Sequence, residues 1–225
     1  MAGLVLASAS PRRRELLAAL GIEFEVVVPR VVELREGEPD RIVLENARRK
    51  ARAGLELWTA GRGRATHGVG REAAGSSAAG SGTARPSTLV LGVDTDVALD
   101  GRLLGKADDE AGARARLEAL SGRTHEVLSG VCVIEGAEAG AGGGERTGVA
   151  RTRVGFRRLD EREIGGYLAS GEWRDRAGAY AIQGLGSTLV DTLQGDLSNV
   201  IGLPIALLLQ LSPNLGASGS GARKP

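Results

Sequence analysis

Three clusters of residues carry the chemistry that this sequence offers. Near its start, Leu4-Val5-Leu6-Ala7 runs into Ser8-Ala9-Ser10-Pro11-Arg12-Arg13. An apolar strand that feeds a proline-initiated helix leaves backbone N–H groups unsatisfied and pointing outward, which suits an anion. Ser8 and Ser10 add hydroxyl donors, and Arg12 or Arg13 can grip phosphate oxygens with two parallel hydrogen bonds. The plainer reading of the same residues is a helix capped by Ser10, with solvated arginines.

The second cluster, Asp94-Thr95-Asp96, follows the apolar run from Leu89 to Val93. Strand C-termini in open α/β sheets are where ligands and catalytic groups lie. A carboxylate there can hold Mg²⁺ or take a proton from water. Asp96 shares the face of Asp94 if the strand continues, because side chains alternate along a strand. Alone, the triplet reads more safely as a polar turn that begins after the strand.

The third cluster is compositional. Of 29 basic residues only Lys50, Lys106 and Lys224 are lysines. A compact ammonium and a forked guanidinium are not interchangeable at a fitted phosphate site. A chain that has drifted towards arginine therefore makes its remaining lysines worth following.

The elements that must position these groups alternate between strand-like and helix-like segments. Strands are expected at Gly3 to Ala7, Phe24 to Val28 and Leu89 to Val93, with a tight turn at Asp100-Gly101. Glu126 to Ile134 and Val149 to Phe156 read as two paired strands. Helices are expected from Ser10 to Leu20, with Gly21 as the stop, and from Asp40 to about Trp58. Further helices are expected at Asp108 to Leu120, Asp160 to Ala169 and Pro204 to Leu211. This mixture predicts an α/β single domain with a central mixed sheet flanked by helices and a cleft at strand ends.

Three segments fall outside the expected core. Gly61 to Ser87 is nearly all Gly, Ala, Ser, Thr and Arg and reads as a mobile insertion. Gly136 to Thr147 reads as a flexible loop, and 212–225 as a flexible tail. No internal repeat is present. The net charge of +1 argues against a general nucleic-acid coat. A single cysteine, Cys132, excludes an internal disulfide framework and a cysteine-cluster zinc site. No apolar run reaches membrane-spanning length, and the start lacks the build of a secretory signal, so the expected address is the cytoplasm.

Both non-terminal lysines fall within longer motifs. The sequence resembles the Maf family of nucleoside triphosphate pyrophosphatases in Leu6 to Arg13 followed by Glu15-Leu16-Leu17, in the Lys50 segment Ala47 to Ala51, and in Val93-Asp94-Thr95 and Gly105-Lys106. Leu120 to Val127, Tyr167 to Tyr180, Ile182-Gln183-Gly184 and Ser198 to Pro204 continue the pattern. The likeness covers residues 3 to 211 apart from the insertion.

That resemblance implies hydrolysis of a nucleoside triphosphate between its α and β phosphates, in a homodimer, with a divalent metal such as Mg or Mn. It implies that Asp94 is the proton acceptor and that Arg12, Lys50 and Lys106 hold the phosphates, beside the Ser8, Ser10 and Arg13 donors read from the first cluster itself. Glu33 matches an acidic position that would contact the metal. Arg12, Thr95 and Gln183 at the specificity positions look like the dTTP/UTP branch. A branch acting on 7-methyl-GTP carries other residues where Arg13 and Thr95 stand here. Alternatives are a pyrophosphatase for a purine or modified nucleotide such as 7-methyl-GTP, and a nucleotide-sensing regulator of cell division. No membrane or nucleic-acid partner is implied.

The chain departs from the family pattern at three positions. Ala107 stands where proline usually follows the lysine, Asp96 replaces a usually apolar residue, and Arg176 holds a place often taken by lysine. His125 is read as ordering a turn, Cys132 as a core thiol, and Trp58 and Trp173 as too isolated for a base-stacking platform. His67, in the insertion, has no candidate partner.

Overall fold

Side-chain alternation along the strands sorts this chain into layers. The computed structural model describes residues 3–61, 65–66, 88–136 and 144–215. Strand β1 (Leu4–Ala7) leads into α1 (Pro11–Ala19), then β2 (Phe24–Val27) and the long α2 (Pro39–Thr59). After β3 (Ala65–Thr66) come β4 (Thr88–Leu99), β5 (Arg102–Leu103) and α3 (Glu110–Leu120). The long hairpin β6 (Thr124–Gly136) and β7 (Glu145–Phe156) is followed by α4 (Glu161–Ser170). A 3₁₀ turn (Gly184–Leu189), β8 (Val190–Gln194), α5 (Leu197–Ile201) and α6 (Ile205–Leu211) close the chain.

One mixed sheet runs in the order β3-β2-β1-β4-β6-β7-β8, with β5 folded back on β4. β1 is parallel to both β2 and β4, and the other pairings are antiparallel. Leu4, Leu6, Leu91, Val93, Val131 and Val133 point to one face, where Leu17 of α1, Leu208 of α6 and Leu203 close over them. Val5, Ala7, Val27 and Val90 point to the other face and meet Trp58 and Leu55 of α2. A second large cluster joins the far halves of β4, β6 and β7 to α3 and α4 through Val97, Leu117, Val154 and Ile164.

The helix α2 lies unusually close to the sheet. A Cβ at Gly92 of β4 would stand 2.2 Å from the Ala47 carbonyl oxygen and 2.6 Å from the Ala51 nitrogen. A Cβ at Gly130 of β6 would stand 2.2 Å from the Val43 carbonyl oxygen. Neighbouring strands thus present two bare backbones to a helix that carries Ala47 and Ala51 at the contact.

The expected fold class is observed, with several corrections of detail. β4 does not stop at Val93 but continues through Asp94-Thr95-Asp96 to Leu99, because β6 pairs with it along its whole length. The turn at Asp100-Gly101 is present, with φ of 51° and 75°, the twist that suits a two-residue hairpin. Pairing also takes β6 and β7 into the segment expected as a loop, leaving 137–143 outside the described residues. Within the expected insertion, Ala65–Thr66 pairs with β2; residues 62–64 and 67–87, His67 among them, lie outside the described residues. The fold reaches past the expected tail boundary, since Leu215 buries its side chain in the first cluster at 6% exposure. The last described residue is Leu215, so Lys224 lies beyond. No described helix is long and apolar enough to cross a membrane.

Placing a methyl group at Gly92 forces two packed backbones apart. Gly92→Ala and Gly130→Ala are each expected to destabilise the fold by roughly 1–3 kcal/mol, the usual scale of overpacking. Urea denaturation checks this, and a change below about 0.5 kcal/mol at both positions contradicts the close approach.

Candidate active site

β1 ends at Ala7, whereas β4 runs on. Beyond the Leu6–Leu91 pair no described strand covers that edge of β4 until β5 meets it at Ala98. A cavity of about 470 Å³ opens along this uncovered edge, a size usual for a small-molecule site. It lies beside the carboxyl end of β1, where the chain turns into α1, as ligand sites in open α/β sheets do.

Asp94 sits in its wall on the α2 side of β4. The Lys50 ammonium lies 2.6 Å from Asp94 Oδ1 and 2.6 Å from Glu33 Oε1. Asn46 Nδ2 donates to Asp94 Oδ2 at 2.9 Å. Asn46 and Lys50 stand four residues apart and therefore on one face of the helix. The same Asn46 amide donates to the Leu34 carbonyl at 3.0 Å and accepts from the Leu34 N–H at 2.8 Å. One buried amide thus fixes both the catalytic carboxylate candidate and the loop that carries Glu33.

Thr95 faces the opposite side of β4. Arg13 reaches it from α1, donating from Nη2 to Thr95 Oγ1 at 3.2 Å, from Nη1 to Ser8 Oγ at 2.9 Å and from Nε to the Gly202 carbonyl at 2.8 Å. The Thr95 hydroxyl also lies 2.8 Å from Ser129 Oγ. Burial pushes the Arg13 guanidinium below its usual pKa, opposed by the charges of Asp94 and Glu33. With a reference value so high, it remains a cation.

The rim is basic. Arg12 Nη2 reaches the Asp175 carbonyl at 3.5 Å, and Lys106 Nζ lies 3.8 Å from the Asp175 carboxylate, both partners being largely exposed. Arg35, Arg116 and Arg176 also line the cavity. Burial lowers the Arg176 pKa, and its Nη1 has no partner among the described residues. Gln183 lines the opening and is exposed.

Of the residues singled out by sequence, Ser10, Arg12, Arg13, Glu33, Lys50, Asp94, Thr95, Lys106 and Gln183 all line this one cavity. Ser8 does not; it is buried at 7% exposure and accepts from Arg13 and from the Ser10 N–H. Ser10 occupies the position before α1, but its side chain makes no capping bond, which corrects the helix-cap expectation. Its N–H is instead drawn to Ser8. His125 orders no turn: it lies inside β6, buried, with Nε2 2.8 Å from the Tyr180 hydroxyl. Burial lowers its pKa to about 4, so it stays neutral. Cys132 is a core thiol, pushed up to about 12 by burial. Trp173 is buried at 2% exposure, away from any platform role. Sequence reasoning missed Asn46 and Arg116 as site residues. An amide in mid-helix, one turn from the lysine, was the available signal.

Among the described residues no group of three or more His, Cys, Asp or Glu side chains could hold a metal ion by itself. Glu33 and Asp94 nevertheless converge on one cation, the Lys50 ammonium. Such an all-oxygen pair fits a Mg²⁺ or Mn²⁺ that keeps waters and substrate phosphates as its other ligands.

A mixed α/β sheet with a carboxylate held by an ammonium, under an arginine- and lysine-rich rim, defines a cleft for a compact polyanion. The chain belongs to the Maf-like protein family, whose pattern matches residues 3–214. It is 43% identical over 219 residues to the dTTP/UTP pyrophosphatase of Deinococcus radiodurans, covering 97% of this chain and 95% of that one. It is 46% identical over 204 residues to that of Desulfitobacterium hafniense, covering 90% and 80%. The relative of the same name from Thermococcus gammatolerans is 39% identical over 208 residues, covering 92% and 94%.

Asp96 adds an unusual carboxyl to the wall. Its Oδ1 accepts from the Val97 N–H at 2.7 Å and the Gly105 N–H at 3.0 Å. Burial raises its pKa to about 6; the two N–H bonds oppose the rise and the Asp94 charge adds to it. A carboxyl raised in the folded state favours folding while protonated, and that contribution is lost as pH rises from about 4 through about 6. Asp96→Asn is therefore expected to be more stable than wild type at pH 8, by on the order of 2 kcal/mol after discounting for residual exposure. The gap should close near pH 4. Urea denaturation at the two pH values checks it, and a gap that widens towards acid contradicts the assignment.

Proposed function

We propose that this protein hydrolyses dTTP and UTP to the monophosphate and pyrophosphate. The observation that carries the reading is the grip on Asp94, with Lys50 on one oxygen and Asn46 on the other, in the wall of a basic cavity. The shared name of the relatives in three distant organisms supports the choice of substrate.

In the mechanism, each Asp94 oxygen accepts one hydrogen bond from its protein partner and keeps a lone pair for a water. The carboxylate takes a proton from that water as its oxygen forms a bond to the α-phosphorus. The bond from the α-phosphorus to the bridging oxygen breaks, and pyrophosphate leaves with the electron pair. Lys50 keeps a third N–H beyond its two ion pairs for a phosphate oxygen. Ser10, Arg12, Arg13 and Lys106 complete the phosphate cradle, with Ser8 holding Arg13 in place. Glu33, with Asp94, would hold the divalent cation, which when bound neutralises phosphate charge. Gln183 offers a donor and an acceptor to a pyrimidine edge, and Arg12 and Thr95 share the discrimination. We assign the enzyme as a homodimer on the family resemblance, and keep the cytoplasm as its expected address.

A panel of nucleoside triphosphates with Mg²⁺ or Mn²⁺, scored for pyrophosphate release, tests the substrate. UTP and dTTP should turn over fastest, and faster turnover of 7-methyl-GTP overturns the choice. Asp94→Asn should lower kcat by about 10²–10⁴-fold, the range of general-base catalysis, with an unchanged circular dichroism spectrum. Wild-type rates in that variant exclude Asp94 as the base.

A further inference from the structure

The segment carrying Lys106 has no proline behind the lysine, since residue 107 is alanine. It is nonetheless tied down, by a backbone bridge from Lys106 to Ala177 with the Gly178 N–H on the Gly105 carbonyl at 2.9 Å, and by polar ties from two further sides. From the strand side, the Gly105 N–H donates to Asp96 Oδ1 at 3.0 Å and the Leu104 N–H to the Val97 carbonyl at 2.8 Å. From the helix side, Arg116 of α3 donates from Nε to the Leu104 carbonyl at 2.9 Å and from Nη2 to the Lys106 carbonyl at 3.0 Å. Its third nitrogen, Nη1, bonds the Gly112 carbonyl at 2.9 Å. Arg116 therefore spends a donor from each guanidinium nitrogen on backbone, although it lines a cleft suited to anions.

We infer that Asp96 and Arg116 are positioning residues that set where the Lys106 ammonium stands in the cleft. The carboxylate anchors the peptide before the lysine, and the guanidinium spans the carbonyls on either side of Gly105. Gly105 adopts φ of 61°, a left-handed turn that is open to glycine and gives the segment freedom to move unless it is tied. Lys106 itself has one distant, exposed ion pair and no close side-chain partner to fix its direction. The backbone bridge to Ala177 holds one side of the segment, and the two polar ties add the restraint that a proline ring would give by locking φ. The inference rests on the phosphate-binding reading for the role of Lys106; the ties themselves do not depend on the substrate.

Charge makes the inference testable, because two effects of losing Asp96 have opposite signs. Removing a carboxylate from an anion-binding cleft should by itself tighten binding of a polyanion. Releasing the Lys106 segment should weaken it. We expect Asp96→Val to raise the KM for UTP, and the Kd for inorganic tripolyphosphate measured by calorimetry, on the order of ten-fold. That is the scale of one lost charge-assisted contact. Asp96→Asn, which keeps an oxygen acceptor, should rescue most of that loss.

In a Lys106→Ala background, Asp96→Val should no longer weaken binding and should show only the tightening of its lost charge. The effect of Arg116→Met should there shrink to the loss of one cleft cation, since the positioning part of each acts through the lysine. Tighter or unchanged tripolyphosphate binding in Asp96→Val, or additivity with Lys106→Ala, overturns the inference. Should Asp96→Val not fold, Asp96→Ser gives the same reading with a side chain too short to reach Gly105. A wild type that binds tripolyphosphate but hydrolyses no nucleotide refutes the proposed function, while the binding cycle still reads the ties. A wild type that does neither refutes both.

Discussion

The site depends on how closely α2 can lie on the sheet. Gly92 and Gly130 leave no side chain between the strands and the helix backbone, and Ala47 and Ala51 keep the helix side of the contact equally thin. Helical periodicity then places Asn46 and Lys50 along the same approach, one turn apart. A bulkier strand residue would lift the helix by about the depth of a side chain, and hydrogen bonds of 2.6 and 2.9 Å to Asp94 leave no slack for that. The packing contact and the polar contact are one constraint. The chain meets it by placing glycine in the middle of two strands, where an isolated glycine usually weakens pairing.

Burying so many charges in one place is tolerable because each has partners of opposite sign or hydrogen bonds. Lys50 lies between Asp94 and Glu33, and Arg13 spends its nitrogens on a serine, a threonine and a carbonyl. Breaking such a pair leaves an uncompensated charge, a larger penalty than the pair's net contribution. The arrangement also divides the labour of the cations. Lys50 and Arg13 are engaged within the wall, whereas Arg12 and Lys106 stand at the rim with long, exposed contacts. Those rim groups have the least to lose on meeting a polyanion.

Much of the fold could be read from sequence because α1 announces itself with Pro11 and Gly21 and the strands with apolar runs. What could not be read came from partners distant in the chain. Asp94-Thr95-Asp96 imitates a turn, and only the pairing with β6 turns it into strand interior with Asp94 and Thr95 on opposite sides. Ser8 reads as an exposed donor beside Ser10, yet Arg13 folds back over it and makes it a buried acceptor. Asn46 carries no local mark of function, since its importance lies in Leu34 and Asp94, 12 and 48 residues away. His125, within its motif, reads as ordering a turn, but its neighbours in space are Tyr180 and Phe156, in edge-on ring contact. Leu215 fell in a stretch of small polar residues, and one leucine was enough to carry the core past the expected boundary.

The topology also explains where extra length can be absorbed. After α2 the chain pairs with the outer edge of β2 as β3 and must then return to β4 in the centre of the sheet, and the low-complexity stretch falls in that connection. Its described ends, Gly61 and Thr88, and the pair Ala65–Thr66 on the outer edge of β2, contribute nothing to the cavity lining. The lining comes from residues 10–50 and 94–202, with a break at α2's second half and the apolar half of β4. Lengthening a connection costs only slowly rising closure entropy, and at this position it leaves untouched the two contacts that matter, α2 on Gly92 and α2 on Gly130. The same length inserted between β1 and α1, or between β5 and α3, would separate Arg13 from Thr95 or Lys106 from its ties. Extra length is thus accommodated between β3 and β4, and would disturb the site where the chain returns to the open side of β4.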